Sequence, residues 1–187
     1  MLETRTDEQL MSIFCNDNDI NNARAFETLY QRHKGPLFRF IKKSINNEQD
    51  CHETFQELWF KVINNKTQFN PNHKFTTWIY TIARRMMIDV FRKSGRMSEL
   101  TACMENELQD MPLKQPENEF ETKQMGTYLQ TAIMQLPTAQ RQTFILRHDA
   151  GFTLNEIAEI TEQAIEKTKS QYRYAVKKLK LSLERFK

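Results

Sequence analysis

Only four glycines and five prolines punctuate the 187 residues. β-Hairpins and sandwiches place such residues at every tight turn, whereas helices use them only near their ends. The scarcity excludes a turn-rich β chain and points to an all-α fold. Cysteine is scarce as well: Cys15, Cys51 and Cys103 are odd in number and far apart. They exclude a disulfide framework and fit a reducing cytoplasm. No apolar run follows Met1–Thr6, so no secretory signal is expected. No stretch approaches the roughly 20 apolar residues that span a bilayer, so membrane insertion is not expected. His33, His52, His73 and His148 have no ligand spacing. Serine–histidine–aspartate sets, paired carboxylates, glycine-rich phosphate loops, repeats and low-complexity segments are missing too. Neither a metal, nor a cofactor, nor an enzymatic activity is expected.

What is abundant is charge, and it is unevenly placed. The net charge is only +3. Yet Lys74–Arg96 holds six Lys/Arg against Asp89 alone, and Ala164–Lys187 holds eight against Glu166 and Glu184. Between them, Glu99–Lys123 holds seven acids against Lys114 and Lys123. Two basic patches around an acidic stretch suit a polyanion held at two places.

Apolar spacing places the elements. Thr6 and Gln9 cap a short helix carrying Leu10, Ile13 and Phe14. A long helix over about 23–45 buries Phe26, Leu29, Tyr30, Leu37, Phe40 and Ile41, and Gly35–Pro36 should interrupt and kink it. Helices follow over about 48–64 and 75–93, separated by the Asn- and Pro-bearing loop Lys66–Lys74. Three segments result: a first helical domain over 1–95, an acidic linker over 96–117 and a second helical domain over 118–187. In the second, Pro137 suits the first turn of a helix that buries Phe144, Ile145 and Leu146, and Gly151 closes it.

The strongest local pattern lies in Thr153–Phe186. Thr153 with Glu156 three residues later is a capping box. Leu154, Ile157, Ala158 and Ile160 point inward, and a turn falls at Thr161–Gln163. A longer helix then carries Thr168, Tyr172, Ala175, Val176, Leu179 and Leu183 on one side. Its other side shows Lys167, Lys169, Ser170, Arg173 and Lys177. A short capped helix, a tight turn and a long basic helix make a helix-turn-helix, whose second helix fits the major groove.

Here the residues resemble a known family. GFTLNEIAEITEQAIEKTKSQYRYAVKKLK, preceded by LPTAQRQTFILRHDAGFT, resembles the C-terminal DNA-binding region of bacterial sigma factors of the extracytoplasmic-function (ECF) group. AFETLYQRHKGPLFRFIKK (Ala25–Lys43) resembles the first long helix of the family. FQELWFKVI (Phe55–Ile63) is similar to its polymerase-docking helix. KFTTWIYTIARRMMIDVFRKSGR (Lys74–Arg96) is similar to the helix that reads and opens the proximal promoter element. The resemblance implies a two-domain, non-enzymatic initiation subunit. Its implied partners are RNA polymerase core (the clamp of the largest subunit and the flap of the second largest), promoter DNA as duplex and single strand, and an anti-sigma factor. The acidic linker is expected to follow the path of the nascent RNA, against the plainer reading of a solvated spacer.

On this reading Glu53, Gln56, Glu57, Phe60 and Lys61 form the core-polymerase face, with a central aromatic and a polar rim. Leu58, Trp59 and Val62 stay open between core and contact. Gln68, Phe69, Asn70, Asn72, Lys74, Trp78 and Tyr80 form a polar loop with aromatic flooring, suited to holding an unstacked base. Phe69 and Trp78 read equally well as core, and Phe75 reads better as core. Arg84, Arg85 and Arg92 track phosphates, with Asp89 orienting a neighbouring arginine. In the recognition helix Lys167, Lys169, Ser170, Gln171, Arg173 and Lys177 meet the distal element. Arg85 stands where the family usually has Asn, Glu162 where it has Gly, Gln163 and Thr168 where it has aliphatics, and Gln171 where it has Arg. Each lost aliphatic should cost roughly 1–2 kcal/mol. The alternatives are a stand-alone helix-turn-helix regulator, which leaves the Phe55–Ile63 face without a task, and a sigma-like protein that only sequesters a partner.

Overall fold

The computed structural model describes residues 2–16, 18–45, 47–93 and 121–184, with side chains in the last stretch from residue 126 onward. The expected linker over 96–117, with Cys103, lies outside the described residues. Every regular element described is helical. The first domain comprises α1 (Asp7–Cys15), α2 (Asn22–Ser44), α3 (Glu48–Asn64), a 3-10 turn (Lys66–Gln68) and α4 (Phe75–Lys93). The second comprises α5 (Glu121–Met134), α6 (Thr138–His148), α7 (Leu154–Thr161) and α8 (Ile165–Glu184). No described helix is long and apolar enough to cross a membrane.

The caps follow the sequence. Thr6 and Gln9 form a complete capping box at the start of α1, and Asn47 accepts from the amides of Gln49 and Asp50 to start α3. α1 also straps the domain together. Asp7 accepts from Arg32 at 2.7 Å and sits 2.7 Å from His33 Nε2, both on α2. Glu8 next to it accepts the Phe75 amide at 3.1 Å, satisfying an otherwise orphaned donor at the start of α4. α2 continues through Gly35–Pro36 as a single helix, where an interruption was expected. Tertiary packing overrides the missing amide: Leu29 before the proline and Leu37, Phe40 and Ile41 after it are buried in the same core. Trp59 is also core, 6% exposed, with Phe26 and Tyr30 packed edge-on at 5.8 and 5.0 Å.

In the second domain Thr153 and Glu156 close a capping box on α7. α7 ends with Glu162 in the left-handed region, φ 53°. The Gln163 amide bonds Ala158 O at 3.0 Å and the Glu162 amide bonds Glu159 O at 3.1 Å. This pair of bonds is a Schellman closure, a geometry that favours glycine where Glu162 stands. It turns the chain in three residues and aims α8 across α6. Thr168, Gln171, Ala175 and Leu179 form the buried stripe of α8.

The domains are in contact. Arg141 on α6 donates to Ser44 O at the end of α2 at 3.2 Å, and Lys43 pairs with Asp149. α7 lies on α4, and Phe152, just before α7, meets Tyr80.

Candidate nucleic-acid interface

The α3 face is open. Glu53, Gln56, Glu57, Phe60 and Lys61 are all exposed, and Phe60 is 65% exposed. Ile63, one turn further on, is 38% exposed and extends the same apolar centre. The sequence reading missed it, although its spacing from Phe60 was signal enough. A large apolar ring left in water within a polar rim is the surface signature of a partner site.

The loop and α4 divide into two layers. Gln68, Asn70, Asn72 and Lys74 are exposed, with Gln68 Nε2 donating to Asn65 Oδ1 and the Asn70 side chain accepting the Asn72 amide. Beneath them Phe69 is buried, edge-on to Trp78 at 5.4 Å and to Phe75 at 6.2 Å. Trp78 is half-buried and so retains an accessible part, whereas Phe75 is wholly internal. Tyr80 is 3% exposed, wedged between Phe40 and Phe152 at 5.2 and 4.9 Å. Burial pushes its phenol up to about 12. Arg84 is buried, its Nε without a hydrogen-bond partner among the described residues, and burial pulls its pKa down. Arg85 and Arg92 are exposed. Arg92 donates to Asp89 at 3.1 Å, the orienting contact expected of that acid. Arg85 reaches the other domain and pairs with Glu162. Lys74 does the same with Glu156 at 2.5 Å. The hydrogen bond from Lys74, with those from Thr153, holds the Glu156 carboxyl down at about 2.

On α8, Lys167, Lys169, Arg173 and Lys177 are exposed and Ser170 is half-buried. Lys169 pairs with Glu166 at 2.7 Å, and Arg173 donates to Ser170 Oγ at 3.3 Å. Gln171 points inward instead. It sits three residues after Thr168 and four before Ala175, so it falls on the buried stripe and accepts from Thr143 Oγ1 at 3.2 Å. Tyr174, 56% exposed between Arg173 and Lys177, was missed by the sequence reading and belongs to the solvent face. No group of three or more His, Cys, Asp or Glu gathers for a metal among the described residues.

A capped helix-turn-helix with a basic outer helix, joined to a second helical domain with its own basic helix and an exposed aromatic face, defines a two-part DNA-binding transcription protein. Comparison with known proteins agrees. Residues 29–97 match the family profile of Sigma-70 region 2, and residues 127–179 match that of Sigma-70, region 4. The chain is 24% identical to the ECF RNA polymerase sigma factor SigX of Bacillus subtilis (strain 168) over 162 residues, covering 85% of this chain and 84% of SigX. Among solved structures it is similar to CnrH in complex with the cytosolic domain of CnrY. That match has a TM-score of 0.70 and 18% identity, covering 97% of this chain and 99% of the other. It is also similar to RpoE of Bartonella quintana in complex with the anti-sigma factor NepR, with a TM-score of 0.66 and 20% identity, covering 85% and 96%. The chain belongs to the sigma-70 family, and its relatives are ECF sigma factors. It is an RNA polymerase sigma factor that directs promoter-specific transcription.

Proposed function

We propose a division of this activity between the two domains. Residues 1–95 bind polymerase core through Glu53, Gln56, Glu57, Phe60 and Lys61. They hold the proximal promoter element with Gln68, Asn70, Asn72, Lys74, Trp78, Arg85 and Arg92, and assist strand opening there, while Phe69, Tyr80 and Arg84 lie buried beneath them. Residues 118–187 grip the distal element with Lys167, Lys169, Ser170, Arg173 and Lys177. The observation that carries this reading is Phe60, 65% exposed at the centre of a charged helix face. A stand-alone DNA reader has no use for such a ring.

Polymerase would be met through the clamp of its largest subunit and the flap of its second largest. The acidic linker would follow the RNA path, where like charge keeps it off nucleic acid. The Bartonella quintana relative is bound by an anti-sigma factor, and an inhibitor of that class is inferred here. The site of action is the cytoplasm. Run-off transcription with core polymerase tests the whole reading: a promoter-dependent transcript is expected, and none across a genomic promoter library would sink it. Within that assay Arg173→Ala should weaken duplex binding and lower the salt slope by about one unit, because one phosphate contact releases about one counterion.

A further inference from the structure

α1 grips the Lys66–Lys74 loop at both ends. At the entry, the Cys15 thiol donates to Lys66 O at 3.0 Å, and the Lys66 ammonium lies 4.9 Å from the centre of the Phe14 ring. At the exit, Glu8 accepts the Phe75 amide at 3.1 Å. Asp7 reaches the same residue by a second route. It sits 2.7 Å from His33 Nε2, and the His33 ring lies 5.2 Å from that of Phe75. Glu8 and Cys15 stand about two turns apart on one helix, so a single rigid element sets the span between the loop ends.

The stretch between those anchors has little else to hold it. Asn70, Asn72 and His73 are exposed. Among the described residues their hydrogen bonds run only to each other: the Asn72 amide to Asn70 Oδ1 and the His73 amide to Asn70 O, both at 3.0 Å. Phe69 is the one buried side chain from Gln68 to Lys74, and it rests on Phe75 and Trp78. The aromatic floor therefore takes its position from Phe75, and Phe75 takes its position from α1.

We propose that Glu8 and Cys15 are positioning residues for strand opening: from outside the site, α1 fixes the span of the loop and the placement of Phe75. It thereby holds the Phe69–Trp78 floor against the Asn70 and Asn72 amides. This rests on the reading of the loop as the place that holds an unstacked base. Misplacing such a site by about 1 Å can cost up to about a hundredfold, so anchors that never act on the base can govern it.

Open-complex formation by the holoenzyme tests this, on a promoter recovered from the genomic run-off library and carrying 2-aminopurine in the melted segment. The fluorescence rise against holoenzyme concentration separates initial duplex binding from opening. Glu8→Ala should slow opening at saturating holoenzyme at least about fivefold, the factor carried by one lost hydrogen bond, and leave initial binding within about twofold. Glu8→Gln keeps an acceptor for the Phe75 amide and should restore most of the rate. Asn47→Ala removes the cap of α3 at the end away from the loop. It brings a comparable loss of stability and should leave opening within about twofold of wild type. Cys15→Ala is the milder probe, slowing opening about twofold, with Cys15→Ser restoring it. If Glu8→Ala does not fold, the Cys15 pair carries the test. Trp78→Ala reports on the loop itself. Slow opening in Trp78→Ala with wild-type rates in Glu8→Ala and Cys15→Ala overturns the clamp and leaves the loop reading standing. Equal slowing in Asn47→Ala and Glu8→Ala, or no rescue by Glu8→Gln, reduces α1 to general support of the fold and overturns the proposal. Unchanged opening in Trp78→Ala overturns the loop reading, and the proposal with it.

Discussion

Phe152 meets Tyr80 edge-on, ring centroids 4.9 Å apart and planes at 74°, and so pins one domain of the chain to the other. The pin is delivered by Gly151, whose φ of 76° turns the chain out of α6 and lets the Phe152 amide bond Leu146 O at 3.1 Å. Edge-to-face pairs of this kind contribute about 0.5–1.5 kcal/mol beyond the area they bury.

Phe152→Ala should uncouple the domains. Calorimetry is expected to show one thermal transition for the wild type and two for the variant. The Tyr80 phenol, held at about 12 by burial, should fall toward the ordinary tyrosine value as water enters. In an absorbance titration one of the five tyrosines then ionises earlier.

Asp7→Asn should loosen the strap between α1 and α2. Burial raises the Asp7 carboxyl, but the hydrogen bonds from His33 and Arg32 outweigh it and set it below 3.8. A carboxylate of this kind contributes fully above its unfolded value and loses that contribution as pH falls through its lower folded value. In denaturant titrations at neutral pH the variant should be less stable by about 1–3 kcal/mol. The gap should close as the pH drops below 3.8, the unfolded value.

Phe60→Ala should separate binding from folding. A ring 65% exposed supports little of the core, so stability should stay within about 0.5 kcal/mol of wild type. Affinity for polymerase core should fall about tenfold or more, as for an aromatic at the centre of an interface. Core pull-down alongside thermal melting measures both.

Gln163→Leu should strengthen the helix-turn-helix. The Gln163 side-chain oxygen is buried with no partner among the described residues. Replacing it with an aliphatic removes an unmet acceptor and adds apolar contact, a gain of about 1–2 kcal/mol. A higher melting temperature checks it, and an unchanged one would mean that water already serves that oxygen.

Much of this protein was legible in its residues. The scarcity of glycine and proline, the apolar spacing and the caps at Thr6 and Thr153 are local quantities, and the helices follow them closely. The Glu53–Lys61 face was legible too, because a helix fixes which residues share a side. Gln171 was misread for a related reason: a polar residue beside basic ones looks solvent-facing until Thr143 supplies its partner across the core. Arg85 and Glu162, read singly, were unexplained departures from the family pattern. They lie 77 positions apart, and nothing in the chain order says that they meet.

By itself, then, the sequence determined the helical class, the helix-turn-helix, the charge layout and the family, all of which rest on interactions within a few residues. Only the tertiary structure decided that α7 and the residues flanking it lie on α4, with Phe152 against Tyr80, Glu156 on Lys74 and Glu162 on Arg85. That decision depends on long-range packing, where shape and charge from two distant segments must match at once.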